Sequence, residues 1–239
     1  MFVLRLKKLR VIIFSRLLRR ALFRHLVMGG VEHKAVLGRK LSMVVDVGAN
    51  RGQFALAARA FSGARVVSFE PLPDIAGIYK KVLADDPLVK LHVAAIGENS
   101  ERKLIHLSAR DDSSSLLKIG EAQAEFFPGT HEVGTLEVEV GPLEFYMSEA
   151  EIVRPAMLKL DVQGFEKQAL GGCRTLIDRF DYVYCECSFI ELYVGQALAG
   201  EIISYLGSLG FVLNGIYNPS YDVSGNCIQA DLLFKQKDC

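Results

Sequence analysis

Three features that would each assign the chain to a particular class are missing from its sequence. No uncharged apolar run reaches the ~18 to 20 residues that a transmembrane helix needs. The five cysteines include no Cys-x-x-Cys pair, so the pattern favours buried reduced thiols in a reducing cytoplasm over a metal or redox centre. Only 7 of 239 residues are proline and half are hydrophobic, which argues against disorder and predicts one α/β domain with a short appendage.

Acidic residues are absent from residues 1–31, and the first one in the chain is Glu32. Eight lysines and arginines lie between Arg5 and Arg24, and setting them aside leaves 20 basic residues against 28 acidic ones. The rest of the chain therefore carries a net charge of about −8, although the whole chain is neutral. An acidic main body argues against nucleic-acid binding, which would require a basic face.

Residues 1–28 predict a basic amphipathic helix in front of a domain that spans residues 29–239. One helical face is apolar and the other is rich in arginine. The apolar face comprises Phe14, Leu17, Leu18, Ala21 and Leu22, and the opposite one Arg16, Arg19, Arg20 and Arg24. Such a helix suits an anionic membrane surface on the cytoplasmic side, which the pattern slightly favours. The alternative is a helix packed on the domain, with its arginines solvated or paired.

Apolar runs alternate with helical patterns through the rest of the chain. Strands are predicted at 43–47, 65–69, 91–96, 157–161 and 182–187, and helices at 54–61, 74–84, 165–179 and 197–209. Such alternation predicts a Rossmann-like, doubly wound and mostly parallel sheet covered on both faces. The tail reads as strand, turn and strand. The polar stretch 97–140 is predicted to be an insertion that contains a hairpin and shapes a substrate mouth.

The stretch VVDVGANRGQF predicts a tight strand-to-helix turn that binds a ligand. Gly48 and Gly52 bracket the turn, and Asn50 between them tolerates a left-handed backbone. Together with Ala49 they would present backbone amides to a ligand at the carboxyl ends of the strands. Asp46, at the end of the strand, is predicted to accept hydrogen bonds from a positive group of that ligand.

An acidic residue closes the next strand, where VVSFEP places Glu70 and Pro71. A carboxylate at this position is predicted to bind both ribose hydroxyls of an adenosine. Nicotinamide dinucleotides and S-adenosylmethionine both fit such a site. The dinucleotide fingerprint requires glycine at two positions that here hold Asn50 and Gln53, so S-adenosylmethionine is the favoured cofactor.

Three motifs, DVGANRGQF, FEP and LKLDVQGFE, occur in an order and spacing that resembles the FkbM-type methyltransferases over residues 43–190. The resemblance implies an S-adenosylmethionine-dependent enzyme that methylates hydroxyls of saccharides or natural products. It also implies the class I methyltransferase fold, whose last strand is antiparallel to the others. The chain departs from the family pattern at Gln163, where glutamate is common, and the role of that glutamate is lost.

The third motif supplies the predicted catalytic residues. Asp161 ends a strand at the crevice and is the first candidate for the general base, and Glu166 at the start of the next helix is the second. A divalent metal held by Asp161 and Glu186 is a less favoured alternative. The run Ser113 to Ser115 is interpreted as a solvated loop rather than as part of the cofactor or sugar site. Histidines carry no motif, and His131 for example lies in the polar insertion.

Two other functions remain open at this level. One is a dinucleotide-dependent oxidoreductase, and the other is a non-catalytic binding protein that keeps the fold. In the favoured case the partner is a hydroxylated small molecule or saccharide, and no nucleic acid is expected.

Overall fold

The computed structural model describes residues 15–237, so Phe14 and the first half of the predicted N-terminal segment lie outside it. A seven-stranded sheet forms the centre of the protein. Its strands are β1 (Met43–Val47), β2 (Arg65–Phe69), β3 (Val89–His92), β7 (Ala156–Leu160), β8 (Tyr182–Ser188), β9 (Phe211–Tyr221) and β10 (Cys227–Gln236). The helices around it are α1 (Arg16–His25), α2 (Lys34–Leu37), α3 (Gln53–Phe61), α4 (Pro73–Val82), α6 (Glu166–Gly172) and α7 (Ala199–Ser208).

The strand order is β3-β2-β1-β7-β8-β10-β9. The strands from β3 to β8 pair in parallel, whereas β10 is antiparallel to both of its neighbours. This topology confirms the predicted doubly wound sheet with an antiparallel last strand. The chain order reverses between β1 and β7, and in open α/β sheets ligands bind in the crevice at the carboxyl ends of the strands beside such a reversal.

Both faces of the sheet are covered, and alternate residues of each strand belong to different cores. In β1, Met43, Val45 and Val47 pack into a core shared with α6 and α7. Val44 belongs instead to the core shared with α1, α3 and α4. Because side chains alternate along a strand, Asp46 lies on the same face as Val44. The first core is therefore built of side chains that lie on the opposite face from Asp46.

The polar insertion forms a second, three-stranded sheet in the order β4-β6-β5. Its strands are β4 (Ala95–Ile96), β5 (Glu101–Ser108) and β6 (Glu132–Gly141), with the short helix α5 (Glu121–Phe126) between the last two. β5 and β6 pair antiparallel as the predicted hairpin requires, but residues 109–131, which include α5, connect them in place of a short turn. The single strand predicted at 91–96 is wrong, because its first half pairs with β2 and its second half with β6.

The helix predicted at 165–179 is also too long. It ends at Gly172, and a separate 3₁₀ turn follows at Ile177–Arg179. A Cβ atom on Gly172 would lie 2.3 Å from the carbonyl oxygen of Gly97, so the end of this helix is in direct backbone contact with the segment after β4. The helix thus ends where it meets this neighbouring backbone, and the periodicity of the local sequence does not reveal such a contact.

Helix α1 packs on the domain instead of presenting its whole apolar face to the outside. The side chain of Ser15 caps its first turn by accepting a hydrogen bond from the backbone N–H of Leu18. Leu18 and Ala21 are fully buried in the core shared with α3, and Arg20 forms an ion pair with Asp85. The boundary predicted at residue 28 therefore separates two parts that share one core, and for Arg16–His25 the packed alternative describes the helix.

Within residues 15–237, every helix is too short or too polar to cross a membrane.

Candidate active site

A cavity of about 430 Å³ opens at the carboxyl edge of the sheet. It lies where β1, β2, β7 and β8 end, beside the reversal in strand order. Five of the seven residues predicted to bind the cofactor line it, namely Gly48, Ala49, Asn50, Glu70 and Pro71. The structure therefore brings the glycine turn and the acidic end of β2 together around one space.

The turn after β1 has no room for a side chain at its first residue. A Cβ atom on Gly48 would lie 1.8 Å from the carbonyl oxygen of Asp161, and the residue has a φ of +79°. The backbone N–H groups of Gly48 and Ala49 both donate to the carbonyl of Phe69 at the end of β2. Asn50 adopts the expected left-handed conformation, with φ +47°. The turn is thus fixed against the ends of two strands. The backbone amides that were predicted to face a ligand donate instead to groups within the protein.

Glu70 contacts the turn directly. Its carboxylate accepts hydrogen bonds from the backbone N–H of Asn50 at 2.8 Å and from that of Leu72 at 2.9 Å. Burial raises its pKa to about 7, although both of these hydrogen bonds favour the charged form. Each carboxylate oxygen has a further acceptor position, so Glu70 can still accept hydrogen bonds from two hydroxyls in the cavity.

The other two predicted cofactor residues lie behind the cavity. Asp46 is fully buried, and its carboxylate is 3.1 Å from the ammonium of Lys159. Gly52 starts α3 with φ +90°, and a Cβ atom there would lie 3.0 Å from a ring carbon of Tyr79. Asp46 therefore positions a lysine rather than a ligand, and Gly52 allows α3 to pack against α4.

Lys159 connects the two central strands below the cavity. Its ammonium donates to the carbonyl of Gly48 at 2.9 Å and lies 3.4 Å from the carboxylate of Asp161. Burial alone would lower the pKa of Lys159, but Asp46 and Asp161 raise it above the ordinary value, so the side chain stays charged. Lys159 also lines the cavity, where it supplies positive charge beside the candidate base.

Asp161 lies in the cavity, as predicted, and is part of a hydrogen-bonded carboxylate pair. The side-chain amide of Gln163 donates to Asp161 at 2.8 Å and to Glu186 at 2.7 Å. Burial opposes ionisation of Asp161, yet Lys159 and the hydrogen bonds from Gln163 and Glu186 lower its pKa. Burial together with the charges of Asp161 and Asp231 raises the pKa of Glu186 well above its ordinary value. Lys159 and Gln163 thus favour the charged form of Asp161, whereas burial favours the neutral form of Glu186.

Glu166, the second candidate base, lies outside the cavity. Its carboxylate is buried beneath the turn after β7 and accepts hydrogen bonds from the backbone N–H groups of Val162 at 3.0 Å and Gly164 at 3.2 Å. Burial raises its pKa to about 7. The catalytic role predicted for Glu166 is therefore replaced by a structural one, in which it fixes the turn that carries Gln163.

The loop of the insertion closes over the cavity. Asp111 binds the turn after β1, because its carbonyl accepts from the side chain of Asn50 at 3.0 Å and its carboxylate pairs with Arg51. The hydroxyl of Ser115 donates to the carbonyl of Gln163 at 2.6 Å. Ser113, Ser114 and Ser115 line the cavity, so the solvated loop predicted for them is wrong. The prediction that the insertion shapes a mouth is consistent with this arrangement.

The cavity wall also contains a second cluster of polar residues, which the sequence does not reveal. His33, Asp231 and Asn218 line the cavity on the side of β8 and β10. His33 Nδ1 is 3.0 Å from the hydroxyl of Tyr184, which donates to Asp231 at 2.8 Å. These residues are far apart in the chain and form no motif. An acidic residue inside the apolar run of β10 was the one available signal.

The metal alternative has little support in this geometry. Across residues 15–237 there is no group of three or more histidine, cysteine or acidic residues that could hold a metal ion. The two carboxylates proposed as ligands, Asp161 and Glu186, are bridged by the amide of Gln163. That amide donates hydrogen bonds to the oxygens that a cation would bind.

The reversed β10, the glycine turn and the acidic end of β2 define a class I methyltransferase fold. A family model for the methyltransferase FkbM domain matches residues 46–213, and the chain belongs to the FkbM methyltransferase family. The chain is similar to the 2-O-methyltransferase NoeI of Sinorhizobium fredii (strain NBRC 101917 / NGR234), with 26% identity over 180 residues that cover 71% of this chain and 73% of that protein. The protein is thus a methyltransferase.

Solved structures of other methyltransferases also resemble the chain, at low identity. An rRNA methylase from Streptococcus thermophilus has 14% identity and a TM-score of 0.47, over 85% of this chain and 93% of that one. A precorrin-6y C5,15-methyltransferase from Geobacter metallireducens GS-15 has 11% identity and a TM-score of 0.47, over 86% and 88% of the two chains.

The structural role of Glu166 predicts how its replacement changes stability with pH. The pKa is raised from 4.5 to about 7 in the folded protein, so its contribution to stability is fully present below pH 4.5 and is lost as the pH rises through 7. Glu166→Gln keeps an acceptor for both amides without a charge. We expect the variant to gain stability relative to the wild type between pH 4.5 and 7.5, by up to about 3 kcal/mol, in urea unfolding.

Glu201→Gln is the control, because Glu201 is an exposed carboxylate whose hydrogen bonds to the backbone of Leu198 and to Lys167 lower its pKa. No such gain is expected there. A stability difference for Glu166→Gln that stays constant with pH would contradict the structural role. A loss of methyl transfer without a loss of fold would indicate that Glu166 is a catalytic residue.

Proposed function

We propose that the protein is an S-adenosylmethionine-dependent O-methyltransferase that methylates a hydroxyl of a saccharide, glycolipid or natural product. One observation carries the proposal. The turn after β1 and the carboxylate of Glu70 share a cavity and are hydrogen-bonded to each other through the N–H of Asn50. We expect an adenosine bound there to have its ribose hydroxyls beside the two carboxylate oxygens of Glu70 and its remaining polar groups beside the backbone of the turn.

The residues of the cavity fit this cofactor. Its volume of about 430 Å³ falls in the ~300 to 1,000 Å³ range of ligand sites. Glu70 offers two oxygens to a diol, and the ionised Asp161 offers negative charge to the cationic part of the cofactor. When bound, S-adenosylmethionine supplies a methyl group that its sulfonium charge already activates. The chain's own task is then to orient an acceptor, exclude water and remove a proton.

The family assignment favours this function over the two alternatives. A dinucleotide-dependent oxidoreductase would need glycine where Asn50 and Gln53 line the cavity. A non-catalytic binding protein would not require the ionised Asp161 beside Glu186 in the cavity wall.

The class of acceptor rests on the polar character of the site and on one relative. The wall formed by β8 and β10 contributes Glu186, Gln229 and Asp231, and the loop of the insertion contributes Ser113 to Ser115. These side chains match an acceptor with several hydroxyl groups. The similar protein NoeI is named a 2-O-methyltransferase, which agrees with an oxygen acceptor. A cytoplasmic location is part of the same proposal.

Removing the carboxylate of Glu70 is expected to weaken cofactor binding. Glu70→Gln loses charge-assisted hydrogen bonds to the ribose hydroxyls, so we expect S-adenosylmethionine to bind roughly 10-fold to 100-fold more weakly at pH 8 by calorimetry. The wild-type affinity is expected to fall as the pH drops below 7, because the pKa of Glu70 is about 7 and the ionised form binds. The variant should show no such dependence.

Glu201→Gln serves as the matched control for that titration, and NAD as the competing ligand. An affinity that Glu70→Gln leaves unchanged, or tighter binding of NAD than of S-adenosylmethionine, would remove the proposed cofactor site.

The acceptor class predicts where the methyl group goes. We expect labelled methyl from S-adenosylmethionine to be incorporated by the purified protein into a polysaccharide or lipid extract of the source organism. Mass spectrometry should find one additional CH₂ unit on a sugar or other hydroxylated component. Label found only in protein or nucleic acid, with none in saccharide or lipid, would contradict this class of acceptor.

A peripheral membrane contact is proposed for the exposed end of α1. Leu18 and Ala21 are buried, but Phe23 and Leu26 are 77% and 83% exposed, and α1 ends in the basic pair Arg24 and His25. Phe23→Ser combined with Leu26→Ser removes the exposed apolar surface without touching the core. We expect the double variant to bind anionic vesicles at least several-fold more weakly in co-sedimentation. Equal binding by both proteins, or none by the wild type, would discard the contact.

A further inference from the structure

A chain of hydrogen bonds runs from the cavity into the sheet beside β8. His33 Nδ1 lies 3.0 Å from the hydroxyl oxygen of Tyr184, and that hydroxyl donates to Asp231 Oδ2 at 2.8 Å. The side-chain amide of Asn218 donates to the same carboxylate oxygen at 2.7 Å. His33 and Asp231 line the cavity, whereas Tyr184 is buried behind them. The imidazole is therefore held from one side by groups anchored in the sheet.

The direction of these bonds determines which nitrogen of His33 carries a hydrogen. Tyr184 has a single proton, and when it donates that proton to Asp231 its oxygen can accept a hydrogen bond from His33 Nδ1 at 3.0 Å. The amide nitrogen of Asn218 is 3.5 Å from Nδ1 but donates to Asp231 at 2.7 Å, so the shorter contact with Tyr184 assigns the hydrogen to Nδ1. Burial raises the pKa of Tyr184 above its ordinary value and keeps that proton in place. Because Nδ1 carries the hydrogen of the neutral ring, Nε2 carries the lone pair. The network thus selects the tautomer in which Nε2 is basic.

The charges around His33 suit a group that gains a proton during a reaction. Burial lowers the pKa of His33 and Lys159 acts in the same direction, so the ring is neutral at pH 7. Asp231, Glu32 and Asp161 act in the opposite direction, and the Asp231 carboxylate is 3.7 Å from Nδ1. An imidazolium formed here is stabilised by these carboxylates as soon as it appears.

Asp161, the base expected from the sequence, is less suited to this step. It is ionised, but Lys159 and Gln163 hold its pKa below the ordinary value, so it has a low affinity for a proton. A general base is most effective when its pKa lies near the working pH. Asp161 is better suited to binding the cationic donor or orienting the acceptor.

We propose that His33 is the general base of the methyl transfer, held in its reactive tautomer by Tyr184 and Asp231. The inference rests on the proposed function. The oxygen of the acceptor hydroxyl forms a bond to the methyl carbon while the carbon–sulfur bond breaks and leaves its electron pair on sulfur. The hydroxyl proton goes to His33 Nε2, and the imidazolium later releases it to water. Tyr184 and Asp231 are positioning residues in this step.

The tautomer gives a test that does not depend on catalysis. In the full-length protein labelled with ¹⁵N-histidine and saturated with S-adenosylhomocysteine, His33→Gln assigns the His33 signals. We expect Nδ1 to carry the hydrogen of the neutral ring and the midpoint of its titration to lie below 6.5. Tyr184→Phe removes the acceptor of that hydrogen bond, so the population with hydrogen on Nε2 should rise. A wild-type ring protonated on Nε2, or one charged above pH 7, overturns the proposal.

Kinetics with the same variants provide the second test. Methyl transfer from saturating S-adenosylmethionine into the polysaccharide and lipid extract is expected to fall roughly 100-fold to 10,000-fold in His33→Gln. Binding of S-adenosylmethionine should stay within about two-fold of the wild type, since Glu70 is intact. The acidic limb of the wild-type pH–rate profile should disappear in the variant. His131→Gln is the control, because His131 is an exposed histidine that is not part of the cavity wall.

The outcomes separate this inference from the proposed function. If the wild type binds S-adenosylmethionine but transfers no methyl to the extract, the proposed acceptor class fails, and the tautomer measurement still decides the state of His33. If the wild type transfers methyl and His33→Gln does so within ten-fold of it, the proposed function stands and His33 is not the base.

Discussion

The buried ammonium of Lys159 is the interaction on which the active site depends. It joins the carboxylate of Asp46 on β1, the carbonyl of Gly48 in the turn and the carboxylate of Asp161 at the end of β7. Without it, two carboxylates would face each other at the point where the strand order reverses, and such uncompensated charge is strongly destabilising. The pairing of β1 with β7 therefore carries the electrostatics of the site as well as its shape.

Two halves of the cavity meet at Gln163. On the β1 side, the carboxylate of Glu70 provides the acceptors of the proposed adenosine site, next to the turn after β1. On the β10 side lie His33, the proposed general base, and Asp231. The side-chain amide nitrogen of Gln163 donates to the carboxylates of Asp161 and Glu186, which lie between these halves. Its side-chain oxygen accepts a hydrogen bond from the hydroxyl of Tyr193, and its backbone carbonyl accepts one from Ser115 in the loop of the insertion. One residue, Gln163, thus contacts both the loop of the insertion and the two carboxylates.

Features of the fold and the site could be predicted from the sequence when they depend on residues that are close together in the chain. Apart from the strand at 91–96, the strands, the glycine turn and the positions of Glu70 and Asp161 in the cavity wall agree with the sequence prediction, because each depends on a residue's own strand or on its immediate turn. Glu166 and Asp46 were assigned the wrong surroundings, since a motif shows that a carboxylate is near a strand end but not which neighbour it faces. His33 was missed because its partners come from β8 and β10, and only the assembled sheet brings them together. The ends of the 91–96 strand and of α6 also depended on contacts between distant segments.

Sharing one core between α1 and the sheet has a consequence for how the chain acquires its structure. Leu18 and Ala21 leave the ribosome before α3 and α4, which cover them and follow more than thirty residues later. Until those helices are made, the first helix exposes its apolar side beside a row of arginines. The nascent chain therefore exposes Leu18 and Ala21, which the folded protein buries, and a chaperone would encounter these two side chains only during synthesis.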